Sequence, residues 1–130
     1  MKLKSEDASG IDNIDEQRQM ILGLAEQFDR AFANQANWVD LYFLILRTRT
    51  FLEYHFCAEE SLMRLLDIPN AAVHCAKNRN MLDQIEELQR IVQQESTLNL
   101  VSQSMRNLLL DHILGSKKQF GEREFDDWLS

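Results

Sequence analysis

The sequence predicts an all-α protein, folded as an up-down-up-down antiparallel four-helix bundle. Apolar residues recur at alternating steps of three and four in four long runs, which is the period of a helix with one buried stripe. The 130 residues include only one proline and four glycines, so little material is present for hairpin turns. Short connections between the runs favour antiparallel neighbours. At this length we expect one domain over residues 1–130, with residues 1–10 flexible and residues 116–130 packed on the bundle as a tail.

Ordinary helix-terminus signals bound the four runs. Asn37 is placed to cap the second run, and Pro69 stops that run. Gly115 is predicted to end the fourth run. A single charged residue, Arg18, interrupts the apolar stripe of the first run. The stripes span residues 11–32, 41–66, 74–92 and 98–112.

The charge balance excludes several classes of function. A net charge of -7 opposes binding to nucleic acid or anionic lipid, and no basic stripe offsets it. No segment reaches the ~18 apolar residues of a spanning helix, and the first residues carry no signal peptide, so we expect a cytoplasmic protein.

Cys57 and Cys75 show no metal-binding spacing and are predicted to be free, buried or half-buried thiols. Because no phosphate loop or activated nucleophile is present, no enzyme is predicted.

Polar residues in the four stripes are predicted to meet at one end of the core. Antiparallel packing brings the start of the first and third helices to the same end as the finish of the second and fourth. Burying such groups costs several kcal/mol unless they are paired or bind metal, and bundle cores often build metal sites from inward His and Glu. The converging residues are Arg18, His55, Glu59, His74, Asn78 and His112.

Four segments of the chain resemble motifs of the hemerythrin and bacteriohemerythrin family. The most specific is HFCAEESLM at residues 55–63, against HFxxEExxM in the family. The resemblance implies a four-helix bundle in which five histidines and two bridging carboxylates hold two irons that bind or sense oxygen. The other segments are IDEQR at residues 14–18 (IDEQH in the family), Ile68-Pro69 followed by His74 (YPxxxxH), and His112-Ile113 with Lys117 (HIxxxD).

Compared position by position, this chain keeps four of the seven ligand positions that the resemblance implies. Because the sequence contains only three histidines, the set of five cannot form. The retained positions are His55, Glu59, His74 and His112, whereas Arg18 and Asn78 replace histidines and Lys117 replaces the bridging aspartate.

Two interpretations of this incomplete site follow. In the first, cationic side chains replace the irons: Arg18 pairs with Glu59, His55 and Asn78 complete the hydrogen bonds, and Lys117 joins them or turns to solvent. The domain then needs no cofactor. It acts as a regulatory or protein-interaction module whose partner is another protein or a second copy, with the aromatic residues of the tail either covering the bundle or binding that partner.

In the second interpretation, a metal remains. His74, His112 and Glu59 form a two-histidine, one-carboxylate set for a single iron, zinc or manganese ion, as in an oxygen or redox sensor. A complete di-iron oxygen carrier is the third and least supported possibility. The length of the chain disfavours an additional output domain.

Overall fold

The structure, a computed structural model, describes residues 12–120, and the side chains of residues 15–94 and 96–115. Within this range it contains four α-helices, which confirms the predicted all-α four-helix bundle. The predictions for residues 1–10 and for the tail beyond Phe120, including Phe125 and Trp128, lie outside the described residues. The helices are α1 (Asp12–Ala33), α2 (Trp38–Leu65), α3 (Ala71–Ile91) and α4 (Leu98–Phe120), with a 3-10 turn at Glu95–Thr97 directly before α4.

Local chemistry at the ends of α2 explains how the chain reverses direction there. The side chain of Asn37 accepts a hydrogen bond of 2.9 Å from the backbone N–H of Asp40, which confirms its predicted role as N-cap. Beyond α2, Asp67 (φ 52°) and Asn70 (φ 65°) adopt left-handed backbone conformations. Asp and Asn are the non-glycine residues that tolerate this region best. The turn is therefore compact, and α3 returns alongside α2.

The predicted end of α4 at Gly115 is wrong. The helix continues through Gly115 to Phe120, so residues 116–120 belong to α4 and not to a tail. A glycine inside a helix costs only about 1 kcal/mol relative to alanine, and no helix-breaking proline follows it. Position 117 is therefore helical, one turn after the buried Ile113.

The core follows the predicted stripes. Helix α1 packs mainly against α4, and α2 mainly against α3. Two positions depart from the predicted stripes. Phe32, the last residue of the first stripe, is exposed, and in the fourth stripe, where the step of three from Met105 predicts Leu108 as the core residue, Leu109 is fully buried instead. The largest fully buried apolar side chains are Ile21, Phe28, Leu41, Ile45, Leu52, Met63, Ile85, Met105 and Leu109.

Neither cysteine is in a disulfide. Cys75 is half-buried, as predicted, but Cys57 is exposed because it lies on the outward side of α2. None of the described helices combines the length and apolar character needed to cross a lipid bilayer.

Candidate metal centre

All four helices contribute polar side chains to one end of the core, as the loop lengths predict. Helix α2 supplies His55 and Glu59, which are fully buried and one turn apart. Helix α3 supplies His74 and α4 supplies His112, which are 8% and 9% exposed. Gln17 from α1 completes the group and is 3% exposed. The predicted convergence of the three histidines with Glu59 is confirmed.

The carboxylate of Glu59 lies at the centre of the group and contacts all three imidazoles. Its Oε1 atom is 2.9 Å from Nε2 of His74. Its Oε2 atom is 3.2 Å from Nε2 of His55 and 3.4 Å from Nε2 of His112. His74 therefore holds one carboxylate oxygen, and the other oxygen is directed at the two remaining histidines.

Three donor atoms form a nearly equilateral triangle. Besides the two contacts of Glu59 Oε2, Nε2 of His55 lies 3.1 Å from Nε2 of His112. Ligand atoms about 2.1 Å from one ion are about 3.0 Å apart at right angles and about 3.4 Å apart at the tetrahedral angle. The observed edges of 3.1, 3.2 and 3.4 Å fall in this range. His55, Glu59 and His112 thus have the spacing of three ligands on one face of a metal ion.

Gln17 fixes the tautomer of His55, and therefore whether the His55 nitrogen in the triangle carries a proton or a lone pair. Nδ1 of His55 lies 2.7 Å from Oε1 of Gln17. Because an amide oxygen only accepts, Nδ1 carries the proton, and Nε2 of the neutral ring has a free lone pair. That lone pair faces the Glu59 oxygen at 3.2 Å. Two facing lone pairs repel, so the arrangement is stabilised by a cation between them, by a second proton on His55, or by an N–H of His112 donated to the same nitrogen at 3.1 Å.

The ionisation of the group also favours metal ligation. Burial by itself raises the pKa of the Glu59 carboxyl, but the surrounding imidazoles of His112, His55 and His74 outweigh it and hold that pKa well below its ordinary value. Burial lowers the pKa of His112, against the opposing effect of the Glu59 carboxylate. Carboxylate anions and neutral imidazoles are the protonation states that bind metals.

Two substituted positions are buried as predicted, and the contacts described for them are with residues other than the predicted partners. Arg18 is fully buried, and its described ion pair is with Asp15, at 3.9 Å. Asn78 is 2% exposed and donates its amide N–H to Glu60 Oε2 at 3.3 Å, outside the histidine group. The histidines occupy the places around Glu59 that the prediction gave to these two residues.

The compact group of donor atoms differs from the predicted single-ion set by one histidine. The prediction combined Glu59 with His74 and His112, whereas the compact group contains His55 in place of His74. His74 contacts the other oxygen of Glu59 and orients the carboxylate. Lys117 lies in α4, and its side chain is outside the described residues.

A cavity of about 350 Å³ between α3 and α4 reaches the group from the surface. It is bordered by His74 and His112 and, nearer solvent, by Lys77 and Asp111. This cavity provides the entry path that a metal ion or a small ligand needs.

A four-helix bundle with two histidines and a carboxylate facing one another in its core has the architecture of a helical metal-binding bundle. The chain belongs to the hemerythrin family: the model of the hemerythrin HHE cation-binding domain matches residues 9–122. No curated protein and no solved structure matches the chain.

The donor set of this chain does not fit a pair of irons in the family's manner. Five histidines cannot be supplied by a chain that contains three. Moreover, the site end of α1 contributes a buried guanidinium, that of Arg18, where the family places an imidazole. A single ion fits the residues present, because two imidazole nitrogens and one carboxylate oxygen already converge at ligand spacing.

Gln17 was not predicted from the sequence, and its role can be tested. Gln17→Leu keeps the side-chain volume but removes the acceptor for His55 Nδ1, so His55 loses its fixed orientation. Loss of such an outer partner weakens metal affinity by about 10- to 100-fold. Titration with Zn²⁺ measures the change. The matched control is Gln89→Leu, another buried glutamine, which instead contacts Arg49; equal weakening in both variants would contradict the assignment.

Proposed function

We propose that this hemerythrin-type domain binds one divalent transition-metal ion through His55, Glu59 and His112, in place of the family's two irons. Iron(II) and zinc suit a site of imidazoles with one carboxylate. When bound, such an ion supplies open coordination positions for a small ligand. The proposed role is a metal-dependent sensing or regulatory module, not an enzyme.

The triangle of donor atoms carries this proposal. The sides of 3.1, 3.2 and 3.4 Å match the ligand spacing around one ion, and an ion there separates the lone pairs of His55 and Glu59. Gln17 and His74 support the same reading, because each orients one of the three ligands from outside the triangle. The cavity between α3 and α4 brings a small ligand to His112, one of the three proposed ligands.

A second candidate is a metal-free interaction module. Its support is the network itself: with a second proton on His55, the imidazolium donates to Glu59 Oε2 at 3.2 Å and balances the buried carboxylate. Arg18, wholly buried where the family has a ligand, also favours it. In this candidate the bundle is retained for its shape and surface.

Metal analysis separates the two candidates. Chelator-treated protein is dialysed against Fe²⁺ under anaerobic conditions, or against Zn²⁺ or Mn²⁺, and the bound metal is measured by mass spectrometry. We expect one ion per chain with Fe²⁺ or Zn²⁺. Absence of stoichiometric binding of all three metals, together with ¹⁵N shifts that show both nitrogens of His55 protonated at neutral pH, establishes the metal-free candidate instead.

A further inference from the structure

The outward side of α2 carries an uncovered row of apolar side chains. Val39, Phe43, Leu46 and Tyr54 are 41%, 61%, 39% and 61% exposed. With Thr50 between the last two, they follow one another at steps of four, three, four and four, so they share one side of the helix. We refer to these five residues as the outer face of α2.

Elsewhere on the described surface, exposed apolar residues do not form such a row. Trp38, Leu65 and Val73 lie singly, at the two ends of α2 and at the start of α3. The two on α1, Met20 and Phe32, are twelve positions apart and lie on different sides of the helix. On α4, Leu100 and Leu114 are separated by polar residues that share their side. Scattered apolar residues of this kind are normal, whereas a contiguous row is typical of an interaction surface.

We propose that the outer face of α2 binds the same face of a second copy of this chain, with the two helices antiparallel about a twofold axis at Thr50. Such an axis places each residue opposite the one equally far on the other side of position 50. Leu46 then meets Tyr54 of the second copy, and the small side chains of Thr50 meet each other and allow close approach. The proposal does not depend on whether the domain binds a metal.

Charge complementarity favours a second copy over a different protein. Arg47 and Glu53 border the row and stand three positions before and after Thr50, so the twofold axis sets each Arg47 opposite a Glu53 of the other copy. The two side chains already have partners within the chain, Gln27 for Arg47 and Arg49 for Glu53 at 3.4 Å. These contacts are at the surface, where exchange of ion-pair partners costs little.

The size of the face indicates a weak dimer. From the exposed fractions, its apolar side chains offer about 350 Å² in each copy. With the flanking polar residues, the buried area approaches about 1,200 Å² in total, the lower limit for a specific interface. We therefore expect a dissociation constant of about 10–100 µM.

Sedimentation velocity of the full chain between about 5 and 500 µM tests the proposal. The mass is expected to rise from 15.2 kDa towards twice that value. Phe43→Glu should weaken association by at least about 10-fold. The matched control is Leu100→Glu on α4, which is equally exposed at 57% but lies outside the face, and should associate as the wild type does.

Charge reversal makes the test specific for self-association in the proposed register. Arg47→Glu sets two acidic residues opposite each other and should weaken the dimer, whereas the double variant Arg47→Glu/Glu53→Arg restores the pairs and should restore association. Circular dichroism confirms that each variant is folded. The proposal is overturned if the wild type is a monomer at all concentrations, or if Leu100→Glu weakens association as much as Phe43→Glu does. It is also overturned if the double variant associates no better than Arg47→Glu. If the wild type still dimerises in that case, the interface lies elsewhere.

Discussion

Replacing Glu59 with glutamine is expected to abolish stoichiometric metal binding. The substitution keeps the shape of the side chain but removes the only carboxylate among the three ligand residues. The ion would then be held by neutral donors alone in a buried site, where its charge is poorly screened. We expect the affinity to fall by more than about 100-fold, beyond the effect of losing an outer partner.

Thermal unfolding gives a second measurement of the same change. A ligand present at a hundred times its dissociation constant stabilises the folded state by about 2.7 kcal/mol, which raises Tm by about 10 °C for a domain of this size. We expect this increase on adding Zn²⁺ to the wild type and its absence in Glu59→Gln. The neighbouring Glu60→Gln is the matched control, because Glu60 accepts a hydrogen bond from Asn78 and lies outside the triangle.

The two proposed functions differ in what Glu59→Gln does without metal. If His55 is protonated against Glu59, the variant leaves a buried imidazolium without its counter-charge and should lose about 3–5 kcal/mol of stability in chelator. If the site belongs to a metal, the apo protein changes less and mainly the metal-dependent increase is lost. Metal binding that survives in Glu59→Gln would show that the triangle is not the binding site.

The burial of the site residues was predictable from the sequence alone. Helical spacing placed Arg18, His55 and Glu59 on inward stripes, and each is fully buried. Loop length placed the ends of α2 and α4 beside the starts of α1 and α3, which brought His74 and His112 to the same depth. These inferences succeed because both depend on backbone geometry, which the apolar pattern specifies.

The partners of the buried side chains were less predictable. Side-chain contacts depend on the rotamer and the length of each side chain, and not only on the spacing of residues along the helix. Arg18 pairs with Asp15, three positions earlier in α1. That local i,i+3 pair could have been recognised. The prediction instead assumed that the one buried carboxylate needed the one buried cation, whereas the three histidines satisfy Glu59.

Gln17 was overlooked for a related reason. It lies beside the stripe of α1, and glutamine is usually exposed. The available signal was chemical: a buried histidine with ligand function generally needs an acceptor for its other nitrogen, and Gln17 is a neutral acceptor at the site end of α1. At Gly115 the sequence predicted too much. Glycine is common just after the end of a helix, but here α4 continues through it to Phe120.

Restoring the three substituted family positions should create a second metal site. In the triple variant Arg18→His/Asn78→His/Lys117→Asp, the buried guanidinium leaves the site end of the core, and two imidazoles and a carboxylate are added at the family's positions. Arg18 and Asn78 are both buried, so histidines at these positions begin inside the core. We expect the stoichiometry with iron to rise from one ion per chain to two, with new near-ultraviolet and visible absorption.

The continuity of α4 provides a matched control for this gain. Position 117 lies one turn after Ile113, which is 4% exposed, whereas position 118 lies one turn after Leu114, which is 54% exposed. A carboxylate at 117 therefore continues the buried side of α4, and one at 118 continues the exposed side. Arg18→His/Asn78→His/Lys118→Asp has the same composition and net charge as the triple variant but should bind no second iron. If both variants bind a second iron, the added carboxylate is not a ligand. If neither variant binds a second iron, the supporting residues around the family's second site have diverged as well.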